Sequence, residues 1–156
     1  MGETLTIFEK TYLSLKNLFE ENKEAQKQNK DLFIYPLLRA KNLCSIKFYV
    51  KKKCGTTTAL CRLIKENFKK IIFMDSTDHM PVIFARAVIE NASDKIFFCP
   101  FEDINRINIF IKEDIDAIIL DSSNLLTKKN IDFIYKLCLP LVEKKESFYF
   151  IFVLPE

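Results

Sequence analysis

Three short segments carry the residues that could do chemistry. The first is Gly55-Thr56-Thr57-Thr58, set between an apolar run at Ser45–Val50 with a lysine-rich loop and an apolar helix-like run at Ala59–Ile64. Strand, loop and helix in that order can hold phosphate, because the exposed N–H groups of the loop and the helix N-terminus converge on an anion. The full pattern is Gly, four residues, then Gly-Lys-Ser/Thr. Aligned on Gly55, the first glycine is Val50, the phosphate-gripping lysine is Thr56, and Thr57 holds the magnesium-ligand position. Losing the lysine removes the point charge on the β- and γ-phosphates. Lys53 is the loop residue placed to substitute; the alternative is an ordinary lysine in solvent. Thr56, Thr57 and Thr58 can equally serve as helix caps.

The second segment, Ile71-Ile-Phe-Met-Asp75-Ser76-Thr77, ends a β-rich run on a carboxylate. The third, Asp116-Ala-Ile-Ile-Leu-Asp121, does the same about 65 residues after the glycine turn. A strand-terminal Asp at that distance has the form of a Walker B carboxylate, which holds Mg²⁺ through water in a working NTPase. His79 is the only histidine, and with no nucleophile arguable beside it, it reads as a surface residue. The five cysteines show no Cys-x-x-Cys spacing and suit buried, reduced thiols in an intracellular compartment. No metal site is expected.

These segments need a scaffold to bring them together. Apolar, β-rich runs at Ser45–Val50, Ile71–Met74, Ile96–Cys99, Ala117–Leu120 and Phe148–Leu154 alternate with helix-length stretches near 57–68, 81–91, 103–112 and 128–144. That alternation predicts a mainly parallel five-stranded sheet covered by helices on both faces, an α/β fold. Ahead of it, Leu5, Phe8, Tyr12, Leu15 and Phe19 recur at helical spacing and predict an N-terminal helix over Thr4 to about Lys30, solvated beyond Phe19. Its stripe can pack on the chain's own sheet or dock on a partner. Leu32–Tyr35 reads as a short strand cut off by Pro36. Residues 1–40 are thus expected as an amphipathic helix with an edge segment, and 41–156 as the core domain.

With 49% hydrophobic and 13% aromatic residues, the composition excludes a disordered tail. The longest apolar run, Phe148–Leu154, is far too short to span a membrane, and the Met-Gly-Glu-Thr start has no signal-peptide character. The net charge of +3 hides segregation: residues 1–40 are neutral, 41–72 carry +8 and 73–156 carry −5. Such asymmetry suits a nucleic-acid or protein-binding face. Lys51, Lys52, Lys53, Lys69 and Lys70 are its candidate DNA contacts. Core filling accounts for most of the 20 aromatics, so base-stacking platforms are not expected from them.

Three stretches resemble the RecA-like recombinases of eukaryotes and archaea, especially their divergent paralogues. Gly55-Thr-Thr-Thr-Ala-Leu-Cys looks like that family's Gly-Lys-Thr-x-Leu-Cys helix start. Ile72-Phe-Met-Asp-Ser-Thr followed by Phe84-Ala-Arg-Ala resembles its Tyr-Ile-Asp-Thr-Glu strand and Arg-containing helix. Asp116-Ala-Ile-Ile-Leu-Asp-Ser-Ser-Asn-Leu-Leu resembles its Walker B segment. The likeness spans about residues 42–156 and implies a three-layer RecA-like P-loop NTPase fold. It also places the family's catalytic glutamate at Thr77, and threonine cannot act as general base for an attacking water. With lysine and glutamate both replaced and Thr57 and Asp121 kept, the resemblance implies a pseudo-ATPase, not an enzyme. No cofactor is required, and ATP with magnesium would bind weakly if at all.

Phe84-Ala-Arg-Ala87 also matches the Phe-x-x-Ala pattern with which recombinases grip one another, but it falls in a predicted helix and reads as core packing. The first DNA loop would fall near 122–130 with only Lys128 and Lys129. The second would follow Phe148–Leu154, where the sequence reads Pro155-Glu156. Filament formation on DNA by this protein alone is therefore not expected. The resemblance implies a nuclear, Shu-type subunit that pairs with another recombinase paralogue or a SWIM-domain protein. Such a complex helps a recombinase assemble on single-stranded DNA in homologous recombination repair. Two other readings keep the fold: a structural subunit of a RecA-like ring such as the Elongator subcomplex acting on tRNA, and a small-nucleotide enzyme with an atypical P-loop.

Overall fold

The computed structural model describes residues 6–29, 31, 35–51 and 54–156. Five strands form one sheet: β1 (Ser45–Val50), β2 (Ile71–Asp75), β3 (Ile96–Pro100), β4 (Ala117–Leu120) and β5 (Tyr149–Pro155). Their order across the sheet is β1-β5-β4-β2-β3, and every pairing is parallel. Parallel neighbours require a crossover each time, and these are supplied by α3 (Thr56–Asn67), α4 (Met80–Ile89), α5 (Ile107–Phe110) and the pair α6 (Lys128–Leu137) and α7 (Leu139–Lys144).

The apolar strands alternate cleanly between two cores. Ile71 and Phe73, Ala117 and Ile119, and Tyr149, Ile151 and Val153 face one layer with α3, α4 and the N-terminal helix α1 (Ile7–Asn29). Ile72 and Met74, Ile118 and Leu120, and Phe148, Phe150 and Phe152 face the other, with α5, α6, α7 and the short α2 (Pro36–Asn42). Strands buried on both faces explain why their sequences read as continuous apolar runs. Edge strand β1 departs from this: Ile46 and Phe48 are buried, while Lys47 and Tyr49 face solvent.

The N-terminal helix belongs to the sheet domain. Tyr12, Leu15 and Phe19 are all at most 4% exposed, and Phe19 sits against Phe68 and Tyr149 at ring-centroid distances of 5.4 and 4.8 Å. Among the described residues, α1 thus shares one core with α3 and the sheet. Beyond Phe19 the helix is solvated at Glu20, Glu21, Lys23, Glu24, Lys27 and Gln28, as expected, while one face stays engaged. Asn22 Nδ2 donates to the Leu43 carbonyl at 2.8 Å. The buried Gln26 amide donates to the Phe148 carbonyl at 2.9 Å and accepts from its N–H at 3.2 Å. Gln26 thereby satisfies main-chain groups at the start of β5 that apolar side chains could not.

Other elements differ from the sequence expectation in ways that have local causes. The Leu32–Tyr35 strand falls largely outside the described residues, and Tyr35 precedes α2, with Pro36 in that helix's first turn. The third crossover is a one-turn helix after an irregular 3₁₀ stretch kinked at Asp103. The expected 128–144 helix breaks at Cys138, with Pro140 opening α7. Cys44, Cys61, Cys99 and Cys138 are buried as free thiols, and burial pushes Cys44 up to about 12 and Cys61 to about 11. Such thiols are poor nucleophiles.

Candidate functional site

In an open parallel sheet, a crevice forms at the carboxyl edge where neighbouring strands send their connections to opposite faces. Here β2 continues into α4 on one face and β4 into α6 on the other, so the strands carrying Asp75 and Asp121 flank such a point. The turn after β1 opens onto the same side. A cleft of about 510 Å³ lies there, lined by Gly55, Thr56, Thr57, Thr58, Asp75 and Asp121 among others. The sheet therefore brings together all four residues of the degenerate nucleotide site.

Gly55 caps α3 with φ +70° and ψ 29°, left-handed backbone that disfavours a side chain. An added Cβ would sit 3.4 Å from Phe8, so space alone would not forbid one. The helix that follows is twelve residues long and carries no side-chain cap, which leaves the N–H groups of its first turn pointing toward the cleft. Thr56, Thr57 and Thr58 are half-buried along that turn.

Two carboxyls face these groups. Asp75 is only 2% exposed; its Oδ1 accepts from the Ser76 N–H at 2.6 Å and lies 3.1 Å from His79 Nδ1. Asp121 accepts from the Ser122 N–H at 2.9 Å, with Ser122 itself left-handed at φ 55°. Asp75 and Asp121 follow one another across the ends of β2 and β4, and burial plus the neighbouring Asp75 charge pushes Asp121 up to about 6. Burial also raises Asp75, against the pull of Ser76 N–H and His79. Like charges in a buried pair favour one retained proton.

The cations of the cleft stand at its rim. Lys51 pairs with Glu156 at 3.9 Å and Arg86 with Glu90 at 3.9 Å. Lys52 and Lys53 lie outside the described residues. At Thr77, the position of the missing base, the Glu102 carboxylate accepts from both the hydroxyl and the N–H, the latter at 3.2 Å. Glu102 was not legible as a neighbour, since it comes from the turn after β3 with no spacing rule linking it to Thr77. Those bonds hold its carboxyl below the usual range, the wrong direction for a general base, and it does not line the cleft.

The remaining candidates fall elsewhere. Lys69 and Lys70 precede β2 at the amino edge, a strand length of about 15 Å from the edge that carries Lys51. There the Lys69 N–H donates to Asp116 at 2.7 Å, and Lys70 donates to the Asp94 carbonyl with its ammonium 4.9 Å from the Phe97 ring centre. Lys51 and the Lys69–Lys70 pair do not share one face, because a strand–helix–strand unit returns the chain to the opposite edge. Phe8, Tyr12, Leu15 and Phe19 pack on the chain's own core rather than facing a partner, and Leu5 lies outside the described residues. In α4, Ala87 is buried while Phe84 is 52% exposed and packs edge-on against Phe98. The sequence pattern missed His79's contact with Asp75, which follows from its place one turn after the strand end.

Among the described residues, no His/Cys/Asp/Glu cluster is placed to hold a metal, and no helix is long and apolar enough to cross a membrane. No family model, curated protein or solved structure matches the chain. Fold and cleft together define a doubly wound α/β protein whose polar crevice opens at the carboxyl edge of its sheet.

Proposed function

We propose that this chain is a catalytically silent RecA-like subunit, which pairs with another recombinase paralogue or a SWIM-domain protein and helps a recombinase assemble on single-stranded DNA. The observation that carries this reading is the turn at Gly55: a left-handed glycine opening a helix, with Thr57 and Asp121 sharing one cleft. That is the layout of a phosphate site, yet threonine stands where the gripping lysine and the general base would be. What such a site retains is a folded scaffold, and a scaffold of this kind acts through what it assembles.

The DNA part of the proposal rests on the Lys51–Lys53 segment, since Lys69 and Lys70 belong to the other edge. Changing Lys51, Lys52 and Lys53 together to Glu should weaken binding of single-stranded DNA by the native complex about tenfold or more at low salt. It should also flatten the salt dependence by about two to three counterions. Unchanged affinity and slope, measured by fluorescence anisotropy across a salt series, would remove DNA from the function. Mass spectrometry of the native complex tests the rest: a recombinase-type partner is expected, and a six-membered ring of other RecA-like subunits would contradict it.

A further inference from the structure

The free edge of β1 carries main-chain groups that bond to nothing among the described residues. Phe150 N–H donates to the Cys44 carbonyl at 2.8 Å and Glu156 N–H to the Val50 carbonyl at 2.8 Å, so the even-numbered residues of this strand bond inward to β5. In a parallel ladder the odd-numbered residues then turn their N–H and C=O groups outward. For Lys47 and Tyr49, nothing among the described residues pairs with them. Beside this edge runs a groove of about 360 Å³ between α1 and β1, with Ile7, Phe48 and Val50 in its walls and Lys10 and Lys51 at its rim. Tyr49 is 55% exposed on the strand itself.

We propose that the β1 edge binds an extended acidic segment of a partner protein, which adds a sixth strand beside Lys47 and Tyr49. Main-chain donors and acceptors alternating at strand spacing fit a peptide backbone; phosphates could use only the donors. Charge selects the occupant. Lys10 and Lys47 form no ion pair among the described residues, and the one carboxylate lining the groove, Glu156, is already engaged by Lys51. A second copy of this chain would bring another Lys47 and Lys10 to the same edge, so self-pairing gathers like charge there. The segment would place alternate aliphatic side chains in the groove and acidic ones by the lysines. This inference stands on the open edge and its charges, independently of the nucleotide-site reading.

The test uses the full chain with two capped peptides, (Val-Glu)5 and (Val-Lys)5, followed by calorimetry and amide exchange. (Val-Glu)5 should bind and slow exchange at the Lys47 and Tyr49 amides, and (Val-Lys)5 should not bind. Tyr49→Pro removes one outward donor without touching the β5 ladder, and should weaken (Val-Glu)5 about tenfold. Lys10→Glu with Lys47→Glu keeps the backbone intact and should weaken it at least as much at low salt; this variant decides should Tyr49→Pro unfold. No binding of (Val-Glu)5, affinity unchanged in the charge variant, protection of the edge by self-association, or protection by oligo(dT) would each overturn the proposal.

Discussion

Phe19→Ala is expected to lower the unfolding free energy by about 3–5 kcal/mol, the cost of emptying a fully buried aromatic site. Phe19 is 2% exposed and meets Phe68 edge-on and Tyr149 at a tilt, so its ring joins α1, the end of α3 and β5. Losing it leaves a cavity between three elements that are themselves held by the sheet and cannot close in. The neighbours Tyr12 and Leu15 would keep α1 in place, which makes a single cooperative transition at lower urea the expected form of the loss. A change under about 1 kcal/mol would mean that α1 rests loosely on the sheet and awaits a partner. The comparison is direct, because Leu13 on the same helix is 42% exposed and Leu13→Ala should be nearly neutral.

Asp121→Asn is expected to stabilise the protein near pH 7 and to make no difference near pH 4. Burial and Asp75 raise the Asp121 carboxyl to about 6, above its unfolded value of about 4. Between those values the folded state holds the proton more tightly than the unfolded chain does. Stability is therefore fullest below pH 4 and is lost as the pH rises through 6. Two units would amount to about 3 kcal/mol at most, and partial exposure reduces it to about 1–2 kcal/mol. Asparagine removes the charge while its oxygen still accepts from Ser122 and its amide can donate to Asp75. Asp75, His79, Lys51 and Arg86 face the same cleft, so the informative quantity is the difference between variant and wild type across pH. A variant less stable than wild type at pH 7 would show Asp121 ionised and held by a cation.

How far the sequence could be read followed from how local each signal was. The strand β4 appears at its expected bounds because a run buried on both faces is apolar at every position, as in Ala117–Leu120, and β1 at its own through alternation of buried and exposed residues. The glycine turn was legible for the same kind of reason, since only one internal glycine exists to occupy a left-handed cap. What stayed hidden was long-range. Nothing in the polar run after Phe19 says that Gln26 reaches Phe148, more than a hundred residues away, and serves as a piece of strand. Nor does the +8 charge of residues 41–72 show that Lys51 and the Lys69–Lys70 pair end on opposite edges of the sheet. Glu102 beside Thr77, and Asp75 beside Asp121, likewise arise from strand order rather than from spacing.

The central claim is that the cleft has kept the shape of a nucleotide site without its chemistry. Phosphate release from Mg-ATP by the native protein, with and without its partner, tests this most directly. The account predicts release no faster than buffer, unaltered by Asp121→Asn, with no saturable heat of Mg-ATP binding below millimolar concentration. Turnover by the wild type that Asp121→Asn abolishes would contradict it, and would make this chain an ATPase that grips its phosphates without the usual lysine.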